Sequence, residues 1–97
     1  MERISEKGLQ AQLERTAKAL GVPVNHWERI DGHNVAVVGA LVLSREFHGW
    51  QLHRISNAQG GVHVLFGHRN LGGWDMLAAL RGMEEAAEIV RESLVLA

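Results

Sequence analysis

Six histidines, at positions 26, 33, 48, 53, 63 and 68, are the residues best equipped for chemistry in this 97-residue chain. Imidazole binds metals and moves protons near neutral pH. The spacing, however, does not assemble a site. No pair forms a helical His-x-x-x-His or a zinc-protease motif. His63 and His68 lie five apart on an expected strand and so point to opposite faces. His53 and His63 share a face in the expected register, but no carboxylate lies between them in sequence, and catalytic zinc takes three protein ligands. No metal or cofactor is therefore expected. The His53/His63 face supports one minor reading, a small ligand-binding protein or enzyme.

Other catalytic patterns are weaker. Ser44, Ser56 and Ser93 lack a nucleophile elbow such as Gly-x-Ser-x-Gly. The absence of cysteine removes disulfides, thiolate metal sites and a thiol nucleophile. Gly72-Gly73 precedes a helix, where backbone N–H groups can hold an anion, but no Lys-Ser/Thr pair follows and the glycines read as a turn. The chain leans towards a non-enzymatic role.

Arg45, Arg54 and Arg69, with His48 and His68, are expected near one end of the sheet beside Trp50. This is the only grouping suited to an acidic partner, and it defines a second reading, a nucleic-acid-associated accessory protein. The charge balance opposes it. Ten basic and eleven acidic residues leave a net charge of -1, whereas phosphate-backbone binding depends on clustered Lys and Arg.

The elements that would position these residues are legible from periodicity. Leu9, Leu13, Ala17 and Leu20 line one face of an expected helix over residues 5–20, with Ser5 as N-cap and Gly21 before Val22-Pro23 as the stop. Residues 24–30 read as a short edge strand, turned by Asp31-Gly32 in a two-residue hairpin. Residues 34–44 (NVAVVGALVLS) form the most apolar run and read as a central strand. Residues 50–56 and 62–68 read as two more strands joined by the loop 57–61. Met76, Leu80, Met83, Ala87, Val90 and Leu94 alternate at spacings of four and three, which predicts a long C-terminal helix beginning near Asp75. The expected fold is a single α+β domain over residues 1–97: an antiparallel sheet of three or four strands with an N-terminal and a longer C-terminal helix.

Pairing Ser56 with Val62 and Leu43 with Trp50 sorts the strands into faces. Trp50, Leu52, Val62, Val64 and Phe66 make a floor for the C-terminal helix. Ala36, Val38, Ala40 and Val42, beside Ile55 and Leu65, make a second face too apolar for water. Trp27 is a candidate aromatic anchor, since such residues dominate binding hot spots. The leading expectation is thus an interaction module that binds protein or itself through this face, with a face-to-face or edge-to-edge homodimer favoured.

The order helix, three strands, helix is similar to that of double-stranded RNA-binding domains. Those carry lysines where their last helix begins, whereas this chain has Asp75-Met76-Leu77-Ala78-Ala79, so the resemblance implies topology without the RNA chemistry. The charged start MERISEKGLQAQLER has no secretory pattern. The longest apolar run is about half of what a membrane span needs. A cytoplasmic protein without membrane contact is the expectation.

Overall fold

The computed structural model describes residues 4–68 and 70–96. Helix α1 (Glu6–Leu20) starts where the Ser5 side chain accepts the Gly8 N–H. It stops at Gly21, whose φ of 73° lets its own N–H reach back to the Ala17 and Lys18 carbonyls. Strands β1 (Trp27–Ile30) and β2 (His33–Ala36) form a hairpin. Its turn residues, Asp31 and Gly32, both have positive φ, at 50° and 78°, as a two-residue turn between right-twisted strands requires.

A separate three-stranded antiparallel sheet has the order β3 (Leu41–Glu46), β4 (Gly49–Ile55), β5 (Val62–Val64). A 3-10 turn at Phe66–His68 follows, then α2 (Gly73–Leu96). The architecture is α+β, with two helices and two antiparallel sheets.

The apolar run 34–44 is not one strand. It bends between β2 and β3, where Gly39 has φ 92° and the Ala40 N–H donates to the Val37 carbonyl. The two halves therefore belong to different sheets. The β3–β4 register pairs Leu43 with Leu52 and Arg45 with Trp50. This is two residues from the expected pairing, so the same side chains still share a face. The β4–β5 register is one residue from expectation: Ile55 pairs with Val62 and His53 with Val64. The loop is a residue shorter than expected, because the Ser56 N–H already donates to the Gly61 carbonyl and Asn57 Oδ1 accepts from the Gln59 and Gly61 N–H groups. An odd slip exchanges faces. Val62 and Val64 consequently leave the floor, and Leu65 joins it opposite Leu52. Phe66 also leaves it; its φ is 59° and it is 41% exposed.

Both helices pack on one side of this sheet. Leu9 and Leu13 of α1, Leu41, Trp50 and Leu52 of the strands, and Met76, Leu77 and Leu80 of α2 form a continuous core. The helices run parallel: Ile4 closes on Gly73, Gln12 reaches Glu84, and Arg91 donates to the Ala19 carbonyl. Their seam contains a buried polar group that is fully used. Thr16 Oγ1 donates to the Leu80 carbonyl at 2.9 Å and accepts from Gln12 Nε2 at 3.3 Å. Unpaired, such a hydroxyl would cost about 1–3 kcal/mol.

Gly49 opens β4 with φ 144°, and the adjoining Trp50 exchanges two backbone hydrogen bonds with Leu71, each 2.8 Å long. A Cβ at position 49 would stand 2.5 Å from the Leu71 carbonyl oxygen. Gly49→Ala is expected to destabilise the fold by about 2 kcal/mol or more, measured as a lower urea midpoint with an unchanged slope.

Candidate functional site

The residues marked by sequence as a second sheet face are divided by the structure. Ala36, Ala40 and Ile55 are buried together, with Val37 and Val42 packed on them. They are covered by their own chain: the Gly39 N–H donates to the Ile55 carbonyl, and the Ala36 N–H donates to the Ala58 carbonyl. Val38 points out and is 54% exposed, while Leu65 lies in the other cluster. The rest of this face is polar. Ser44 Oγ donates to Glu46 Oε1 at 2.7 Å, and Gln51 bridges His53 Nε2 to Asn70 Oδ1. These groups are at ease in water, so a largely apolar sheet face is not formed.

Trp27 is exposed on β1, with its ring edge against the backbone of Gly60. It therefore helps seat the hairpin on the loop 57–60 while leaving its other side free.

His53 and His63 do not converge. His53 stands opposite Val64 and His63 opposite Arg54, which places the two imidazoles on opposite faces because successive strand residues alternate. The cause is the one-residue register difference. Among the described residues, no group of three or more His, Cys, Asp or Glu is placed to hold a metal ion.

The arginine grouping also fails to assemble. Arg45 lies over the Trp50 ring at 5.4 Å, and it pairs at that end of β4. Arg54 is four residues further along, roughly 13 Å away at strand spacing, beside His63. Arg69 lies outside the described residues.

The surface that does come together is on the helices. The apolar stripe of α2 begins as core and ends in water. Met76 and Leu80 are 0% exposed, Met83 and Ala87 are half-buried, and Val90 and Leu94 are 59% and 73% exposed. Length explains this. The 24 residues of α2 span about 36 Å at 1.5 Å per residue. The seven residues of β4 span only about 23 Å, and the 15 residues of α1 about 22 Å. The distal half of α2 thus continues past the strands that cover its proximal half, with α1 alongside it as far as Arg91. With Leu20 at the end of α1, the residues Met83, Ala87, Val90 and Leu94 line an open groove of about 460 Å³. Among the described residues, Arg91 is the one charged residue on its wall, and it is already committed to the Ala19 carbonyl.

Ile89, 58% exposed, widens this apolar surface away from α1. Between it and Ala79 sits Gly82, in the interior of the helix, where glycine costs about 1 kcal/mol relative to alanine. Among the described residues outside its own turn of helix, no atom lies within 4 Å of the place its Cβ would take, so packing does not call for a glycine there. The charged residues Glu84, Glu85, Glu88, Arg91 and Glu92 fall on the other arc, part of it beside α1, where Glu84 meets Gln12 and Arg15.

Sequence reasoning read the stripe from Met76 to Leu94 as one helix on the sheet floor, without separating its two halves. The signal it left unused is the ratio of lengths: a stripe of five turns has no partner in strands of seven residues.

Comparison of the chain with protein-family models, with curated proteins and with solved structures finds no match. No helix among the described residues is long and apolar enough to cross a membrane.

With the imidazoles on separate faces, His53→Ala and His63→Ala are expected to act independently. Their effects on unfolding free energy should sum in the double variant to within about 0.5 kcal/mol, as measured by urea denaturation.

Proposed function

We propose that this chain is a non-enzymatic interaction module that binds protein through the distal half of α2. The observation that carries the reading is the exposure of Val90 and Leu94 on the same stripe that buries Met76 and Leu80. Four to five turns of one periodic pattern are kept apolar, although the domain's own core uses only the first two. Isolated apolar residues on a surface are ordinary, but a contiguous patch rimmed by charge marks a contact site.

The groove's chemistry favours a macromolecule over a small ligand. Small-molecule sites set a few convergent polar groups among apolar walls to fix orientation. Here the wall is aliphatic and its one guanidinium is occupied. An amphipathic helix laid along the groove needs no such groups, since its apolar anchors recur at the same three- and four-residue spacing.

A double variant, Val90→Ser with Leu94→Ser, tests the reading. If the distal stripe is a contact surface, the folded chain should keep its stability to within about 0.5 kcal/mol in urea and lose its binding of the hydrophobic dye ANS. A loss of about 2–5 kcal/mol, as for large-to-small changes in a core, would make the stripe structural and end the proposal.

A further inference from the structure

We infer that the chain carries a second binding site, for a single nucleotide, at the end of the molecule where both helices begin. A cavity of about 500 Å³ opens there between the starts of α1 and α2 and the β3–β4 turn, with Glu6, Arg45, Phe47, His48, Trp50 and Trp74 in its walls. Its size is that of a small-molecule site. Unlike the aliphatic groove on α2, it sets charged groups among aromatic walls, the combination that orients a planar, charged ligand.

Two placements favour a base with its phosphate. The first is Phe47. Strands β3 and β4 are joined through Phe47 and His48, since Glu46 pairs with Gly49. Such tips favour Gly, Asn or Asp, yet here stands a phenyl ring, 93% exposed and met edge-on by His48 with centroids 4.4 Å apart. Burial does not account for it. With Trp74, 52% exposed, it gives the cavity ring faces on which a base can stack. The second placement is Arg45. Its guanidinium lies over the Trp50 ring at 5.4 Å, which holds it in position. Among the described residues no carboxylate forms an ion pair with it, so its N–H donors are left for a phosphate. One cation suffices for one phosphate. The site is therefore compatible with a net charge of -1, which a surface tracking a phosphate backbone is not. Glu6 supplies an acceptor for an exocyclic amine, present on adenine and cytosine but absent from uracil.

Adenosine 5′-monophosphate added to the full chain tests the site, because the three indole N–H signals of an NMR spectrum report on separate places. Those of Trp50 and Trp74 should shift, and that of Trp27, on the hairpin, should not. Phe47→Ala and Arg45→Gln should each weaken binding about tenfold, whereas Arg54→Gln, at the far end of β4, should leave it unchanged. Uridine 5′-monophosphate should bind several-fold more weakly, and Glu6→Ala should remove that difference. A short oligodeoxyadenosine strand separates two sources of the ligand: tighter binding than the mononucleotide assigns the site to single strands, and equal or weaker binding assigns it to free nucleotides. No shift at millimolar concentration, a shift of Trp27 alone, or equal shifts with inorganic phosphate overturns the inference. The contact-surface reading of α2 is left by any of these outcomes to the serine variants.

Discussion

The sheet has one apolar side, and both helices lie on it. Leu41 of β3 and Trp50 and Leu52 of β4 offer an apolar strip two strands wide, on which the two helices lie side by side. This constraint orders the rest. It fixes α1 beside α2 and leaves the Thr16–Leu80 hydrogen bond in the seam between them. It also limits how much of α2 can be buried to the length of the strands beneath it. What remains of α2 is apolar because its pattern continues, and exposed because the sheet does not.

Local chemistry made much of the fold legible. Ser5 and Gly21 mark the bounds of α1, Asp31-Gly32 marks the hairpin, and the four-three alternation marks α2, because each depends only on residues close in sequence. The longer-range features were less visible. Gly39 signals a bend within a strand-like run, yet the apolar continuity of residues 34–44 outweighs a single glycine when read in one dimension. The β4–β5 register depends on whether Asn57 closes its loop after four residues or five. That difference of one moved Leu65 into the core and separated His53 from His63.

The candidate surface was less legible than the fold. Periodicity reports that a helix has an apolar side but not what covers it. Val90 and Leu94 carry the same sequence signature as Met76 and Leu80, and only the short strands tell them apart. The four residues first suspected of lacking cover met three fates. Ala36 and Ala40 are sealed by the bend at Gly39, Val42 packs on them, and Val38 faces outward.

The third strand bears on how open the sheet edge is to pairing with another strand. After Val62–Val64 the backbone follows β4 only through Leu65, turns outward at Phe66 and Gly67, and rejoins at Leu71. An uninterrupted edge would offer a row of free N–H and C=O groups to any other strand, the usual route to open-ended stacking. The excursion interrupts that row on this side of the sheet after three paired residues. Under the proposed function, adhesion would fall instead to a helix, whose backbone hydrogen bonds are already made within itself and whose contacts are side chains alone.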